Sequence, residues 1–268
     1  MAHMVALALN TSFTYTTVPG FFLQDNLTAT GIPAIPPSFG LIDTAPDRWD
    51  KFFGQIEKLN KAADKYTSYK VFFLSRHGQG FHNLAESKYG TAAWDDYWSK
   101  LNGDGDIVWG PDPELTDLGV TQAAAAHDAW KTEIKAGIPL PGRYYVSPLT
   151  RALKTLEITI QGLTPPAKLV RPVVLEDLRE TYGVHTCDKR RSKTYIQGRF
   201  PGFAIERGFA EEDPLWDADE REEDAHIAGR AKAVLDLVFK EDAKENCEYS
   251  SPFLQHYLGG DANIDDVV

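Results

Sequence analysis

With 268 residues, 43% hydrophobic and 12% aromatic, the chain can bury one sizeable core, and the reading favours a single domain. Its 39 acidic against 28 basic residues give a net charge of −11, which argues against nucleic acid or an anionic membrane as principal partner because both demand a basic footprint. Cys187 and Cys247 are too few for a disulfide framework, no run approaches transmembrane length, and the amino terminus lacks a basic n-region, so a cytoplasmic location is expected, with the nucleus also open.

Residues 1–45 alternate short β-like pieces with Pro and Gly, notably Ile32 to Pro37, and read as an extended arm laid on the domain. From Asp47 to Tyr66 the apolar residues Trp49, Phe52, Phe53, Ile56 and Leu59 recur at three and four, which predicts an amphipathic helix leading into a strand over Val71 to Leu74. Leu115 to Gln122 opens an alanine-rich helix running to about Lys135, capped by Thr116 or Asp117. Arg143 to Val146 reads as a strand, Ser147 to Ala152 as a turn into a helix, and 168–175 as a strand broken by Pro172. The segment 183–225 is charged and irregular, and Glu222 to Phe239 reads as a last helix. Strands alternating with helices imply an α/β fold whose parallel or mixed sheet is covered on both faces.

The chemistry begins at Phe72-Phe73-Leu74-Ser75-Arg76-His77-Gly78, where an apolar run delivers an arginine and a histidine to the carboxyl end of a strand. Open α/β sheets bind their ligands there. An imidazole beside a permanent guanidinium can attack a phosphoryl group whose oxygens the arginine holds. Two further segments bring suitable residues to equivalent places: Arg151 after Ser147-Pro148-Leu149-Thr150, and Leu178-Arg179-Glu180 after the Val173 to Leu175 strand. Arg76 and Arg151 suit the binding of phosphate oxygens, and Glu180 suits protonation of a leaving alcohol. Taken singly, an arginine such as Arg151 is far more often half of a surface ion pair, and a glutamate such as Glu180 far more often part of a solvated turn.

Arg76-His77-Gly78 with Asn83, Leu115-Thr116-Asp117-Leu118-Gly119 with Gln122, Ser147 to Ala152 with Thr155, and Leu178-Arg179-Glu180 resemble, in order, the motifs of the histidine phosphatase superfamily, phosphoglycerate-mutase-like branch. The likeness spans roughly 68–240. Val18 to Gln24 and Gly183 to Ser192 look most like the fungal phosphomutase-like proteins within it. The resemblance implies a three-layer sandwich with a mostly parallel central sheet flanked by helices. Its implied parts are an arm at 1–45, a catalytic domain at 46–249 with an aromatic cap at 84–114, and a divergent tail at 250–268. It further implies that His77 is transiently phosphorylated, that Arg76 and Arg151 clamp the phosphoryl oxygens, that Glu180 is the proton donor and Asn83 an accessory phosphate contact, and that Ser147 shapes the turn before Arg151. No metal or organic cofactor is implied, since two guanidiniums supply electrostatic stabilisation.

The family completes its site with a second histidine after a late buried strand, and that pattern is missing here. Pro252 argues against a central strand at 250–260, so an uncovered sheet edge near the His77 strand is expected. His256 and His185 are the candidates to replace the absent imidazole, and Arg190-Arg191 could add charge, although a solvated loop is the plainer reading of that segment. The cap carries Tyr89, Trp94, Tyr97, Trp98 and Trp109, which either stack on a substrate or pack as core. Its Asp95, Asp96, Asp104 and Asp106 disfavour a heavily phosphorylated substrate and leave a small phosphomonoester as the expected partner. Three functions stay open: a phosphatase, a phosphomutase of the same fold, and a non-catalytic phosphate-binding protein.

Overall fold

The strand Arg143–Val146 shows how the layers arise. Successive side chains of a strand point to opposite faces. Tyr144 and Val146 therefore enter one hydrophobic cluster while Tyr145 enters another. The neighbouring strand repeats the division, with Val174 in the first cluster and Val173 packed against the second. A sheet apolar on both faces needs helices on both, which is the α/β three-layer arrangement expected.

The computed structural model describes residues 13–26, 28, 35–163, 170–242 and 252–255. Among them are β1 (Phe73–Ser75), β2 (Arg143–Val146), β3 (Val173–Val174), β4 (Ala204–Ile205) and β5 (Pro252–Gln255), all parallel, in the order β1-β5-β2-β3-β4. The first cluster joins Trp49, Phe52 and Phe53 of α1 (Arg48–Ala62), Trp130 of α4 (Asp117–Lys135), and Ala152, Leu153 and Leu156 of α5 (Thr150–Ile160). Val234 and Val238 of α7 (Asp224–Asp242), four residues apart on one helical face, cover the other side. The arm reaches both layers: Phe21 and Phe22 each stack edge-on against Phe52 at 5.2 Å, and the Tyr15 hydroxyl donates to Asp236 Oδ1 at 2.5 Å. No helix of the described residues is long and apolar enough to cross a membrane.

Two expectations are corrected. Pro252 does not exclude a central strand: β5 lies between β1 and β2, with Phe253 opposite Phe73 and Tyr144. Proline is tolerated at the first residue of a strand, where its missing N–H interrupts no ladder already begun. The edge expected to stand open beside β1 is filled by β5. The segment 183–225 is likewise no solvated loop. It contains α6 (Lys193–Arg199) and β4, and Arg190 is only 3% exposed. Its Nε donates to both oxygens of Glu176 at 2.9–3.0 Å, and its remaining donors meet the carbonyls of Arg191, Ala210, Glu211 and Glu212. This guanidinium is structural, because every donor group already has an acceptor.

The segment 84–114, expected as a cap, falls in α2 (Phe81–Tyr89), α3 (Thr91–Asp96) and the loop beyond. Trp94 and Trp109 are buried with Ala85 and Cys187 in a small core of their own, and Tyr89 stacks on Trp98 at 3.9 Å. Of the two readings of these rings, packing is the one the structure shows for Trp94, Trp98 and Trp109. Asp104 is held locally by Lys88 Nζ at 2.6 Å and the Tyr89 hydroxyl at 2.5 Å.

Candidate active site

β1 ends at Ser75, and the chain turns through Arg76-His77-Gly78 before α2 begins. Three contacts fix that turn. Gly78 N–H donates to Thr155 Oγ1 at 3.0 Å, and Thr155 in turn donates to the Arg151 carbonyl at 2.8 Å, tying the turn to α5. Thr116, the N-cap of α4, accepts from Gly119 N–H at 3.1 Å, and its backbone N–H donates to the Gln79 carbonyl at 2.9 Å. Gln122 Oε1 receives Gln79 N–H at 2.7 Å. Glycine is required where these backbones meet: a Cβ on Gly78 would stand 2.3 Å from the Gly119 carbonyl oxygen, and one on Gly119 would stand 2.1 Å from that of Gln79. The Leu115 to Gln122 segment thus serves as a clamp on the turn that carries His77.

His77 is 9% exposed. Its Nδ1 lies 2.6 Å from the Gly78 carbonyl, an acceptor only, so Nδ1 carries a proton and Nε2 is the nitrogen that faces the rest of the site. Nε2 lies 3.0 Å from Glu180 Oε1. Glu180 Oε2 accepts from Arg151 Nη2, which also donates to Asp188 Oδ1 at 3.1 Å, while Arg151 Nη1 donates to the Cys187 carbonyl at 2.8 Å. Burial pushes the Glu180 carboxyl up, but the charges of Arg151 and His77 outweigh it and hold the group well below the usual carboxylate range. Arg151 is fully buried, and its Nε has no partner.

The residues expected from sequence divide as follows. His77, Arg151 and Glu180 meet in one constellation. Arg76 is exposed at the end of β1, with its charge felt at His82. Asn83 closes the turn into α2, its Oδ1 accepting from Gly80 N–H at 3.0 Å. Ser147 is buried, and its Oγ accepts from Leu149 N–H at 3.4 Å, within the turn before Arg151. His185 meets Asp95 at 3.7 Å and the Trp94 ring at 6.2 Å, on the cap side. His256 lies outside the described residues; Gln255 before it closes β5 opposite Ser75 and Val146.

Sequence reasoning left three contributors without a role. Asp112 sits under the start of α5 and accepts from Thr150 N–H at 2.8 Å and Thr150 Oγ1 at 2.7 Å. Asp188 links Arg151 to Arg221 Nη1, 2.8 Å from its Oδ2. His82 is buried with its ring 5.3 Å from that of His77. The only sequence signal for His82 was its place five residues after His77. His77, His82 and Glu180 offer ligand atoms within 4.8 Å of one another, as do His185, Cys187 and Asp188. Arg151 sits directly on the carboxylate of the first set and contacts Asp188 of the second, and such cationic surroundings favour an anion over a metal ion.

The description "Histidine phosphatase superfamily (branch 1)" matches residues 72–248. The chain belongs to the histidine phosphatase superfamily. Within it, the chain is similar to a "Probable phosphoglycerate mutase" of Arthroderma benhamiae, 47% identical over 249 residues that cover 85% of this chain and 72% of that protein. It is 40% identical to "Phosphomutase-like protein 3" of Candida albicans over 66% of this chain and 54% of that protein, so the chain spans about half the length of that relative. The ecdysone phosphate phosphatase of Bombix mori, solved with tungstate, superposes at a TM-score of 0.46 with 16% identity over 74% of this chain and 76% of that one. The fungal affinity read from sequence is therefore shown, together with the superfamily.

Proposed function

We propose that the chain is a phosphomonoester hydrolase working through a phosphohistidine on His77. The observation that carries this reading is the 3.0 Å contact between His77 Nε2 and Glu180 Oε1. Two lone pairs do not approach so closely without a proton between them. The resting pair therefore holds one proton, and its position decides reactivity. On Nε2 it blocks the nucleophile; on Glu180 it frees Nε2 and loads the acid in one transfer.

A phosphoryl dianion supplies the reason for that transfer. It competes with Glu180 for Arg151 and places negative charge beside the carboxylate, both of which raise the proton affinity of Glu180. Nε2 then attacks phosphorus, the P–O ester bond breaks, and the leaving oxygen takes the proton from Glu180. In the second half Glu180 removes a proton from water, the oxygen attacks phosphorus, and the P–N bond breaks to return His77. Arg151 and Arg76 hold the equatorial oxygens throughout, with Asn83 as an accessory contact. The substrate we assign is a small phosphomonoester, and the location a cytoplasmic one, consistent with the free buried thiol of Cys187.

The phosphomutase reading has the names of the fungal relatives behind it. The two differ in the fate of the phosphoryl group. Hydrolysis of an aryl phosphate by wild type, His77→Ala and Glu180→Gln, with the phosphate label on His77 read by mass spectrometry at neutral to alkaline pH, where a P–N bond survives, tests both. A hydrolase shows a labelled His77 that empties into inorganic phosphate, and no turnover in His77→Ala. A label that persists in water but leaves to an added alcohol shifts the assignment to the mutase. Equal turnover in folded His77→Ala overturns the phosphohistidine reading.

A further inference from the structure

We propose that His82 is a further catalytic residue, donating a hydrogen bond from Nε2 to the phosphoryl group in transit at His77. The proposal rests on the phosphohistidine reading above and adds to it a donor from α2.

Position is the first argument. His82 lies in the first turn of α2, its ring tilted 59° to that of His77 at 5.3 Å between centroids, and one of its ring nitrogens lies within 4.8 Å of a His77 nitrogen and a Glu180 carboxylate oxygen. A group bound between Nε2 of His77 and the guanidinium of Arg151 therefore lies within reach of this ring. The second argument is the ring's orientation. His82 Nδ1 is buried without a hydrogen-bond partner, and it packs against Gly80, where a Cβ would stand 2.6 Å from Nδ1 and 2.7 Å from Cε1. A proton on Nδ1 would be an orphaned buried donor, among the costlier defects a protein interior holds. The ring proton consequently sits on Nε2, the nitrogen left for whatever binds beside His77. Gly80 is the residue that admits the ring in this pose.

Charge is the third argument. Burial lowers the proton affinity of His82 well below the usual imidazole value, and the positive charges of Arg151 and His77 lower it further. His82 is thus neutral in the working site. A neutral N–H can stabilise the oxygens of the transition state without adding a cation that would compete with Arg151 or repel the imidazolium form of His77. A ring present only to fill space would be served equally by an apolar side chain of the same size, without the unpartnered Nδ1.

The test uses the full chain and an aryl phosphate. His82→Leu removes the donor, whereas His82→Gln returns an amide N–H near the position of Nε2. The expected result is a fall in the rate of His77 phosphorylation of about 10²–10³-fold in His82→Leu. His82→Gln should recover to within about tenfold of wild type at a similar KM. Because the leucine variant can fail to fold, folded fraction is verified by near-ultraviolet circular dichroism. Independently, ¹⁵N spectra of the histidine-labelled wild type should show His82 as the Nε2–H tautomer, with that signal moving on addition of vanadate. Wild-type turnover in folded His82→Leu, or a His82 signal indifferent to bound vanadate, overturns the role of His82 while leaving His77 intact. Undiminished turnover in His77→Ala overturns the underlying reading and the proposal with it.

Discussion

Thr155→Val removes one hydroxyl and keeps the shape of the side chain. Thr155 is 4% exposed, and its Oγ1 is the acceptor for Gly78 N–H at 3.0 Å. Gly78 has no room to move toward another acceptor, because its α-carbon already lies against the Gly119 backbone. The variant therefore leaves a buried N–H unsatisfied, at a cost of about 1–3 kcal/mol. For a domain of this size that corresponds to a fall in Tm of about 3–10 °C. The larger effect is expected on rate. Gly78 directly follows His77, the nucleophile we propose, and a displacement of about 1 Å at a reacting group costs on the order of 10²-fold. Thermal unfolding by circular dichroism and aryl phosphate kinetics read the two effects separately. Thr155→Ser, which keeps the hydroxyl, should restore kcat to near the wild-type value while losing only the packing of one methyl group. A Thr155→Val protein with Tm within about 1 °C of wild type and unchanged kcat refutes the claim that this hydroxyl positions the turn.

Gly119→Ala should disrupt the same turn from the other side. Its Cβ would meet the Gln79 carbonyl oxygen at 2.1 Å, backbone against backbone, so destabilisation of at least about 1–3 kcal/mol in urea unfolding is expected, with kcat reduced as well. Burial outweighs the neighbouring guanidinium at Asp112 and pushes its carboxyl up to about 6, so the folded state holds this proton more tightly than the unfolded chain. Its contribution to stability is fullest in acid and declines between about pH 4 and pH 6. Relative to wild type, Asp112→Asn should gain about 3 kcal/mol between pH 4 and pH 7, measured by unfolding at both; a gap independent of pH contradicts this. Arg190→Met leaves the partly buried Glu176 beside Arg179 with half its partners gone, an expected loss of up to about 3 kcal/mol by denaturant titration, and the added Glu176→Leu change should recover part of it.

The elements legible in the sequence are those whose stability is local or patterned. Strand Arg143–Val146 falls where its aromatic and β-branched residues placed it, and helix Asp117–Lys135 begins after Thr116, one of the two caps expected. His77, Arg151 and Glu180 were legible because each follows a strand, and parallel strands deliver their carboxyl ends to one edge. What periodicity does not carry is pairing between distant charges. Arg179 with Asp213, Arg190 with Glu176 and Arg230 with Glu222 are buried bridges, yet in sequence they are a stretch rich in charge that reads as solvent-facing. His82 escaped notice for a related reason, since its meaning depends on Gly80 and on a glutamate that the fold brings from another strand. The effect of Pro252 depends on the position it takes in the strand, which the residue type does not reveal.

The place of β5 has a consequence for how the molecule is made. Phe253 pairs with Phe73 and with Tyr144, so the middle of the sheet is supplied by residues synthesised long after both of its neighbours. A nascent chain carrying only β1 to β4 has a slot between β1 and β2, with unpaired backbone groups on either side. That slot is a ready template for any extended segment in reach, and its closure joins Phe73 to Phe253, more than half the chain apart. Folding is therefore expected to wait for residues 252–255 and to proceed slowly in step with high contact order. Chains cut short before them should associate through the open slot, and a synthetic peptide of this strand added in trans should compete with that association.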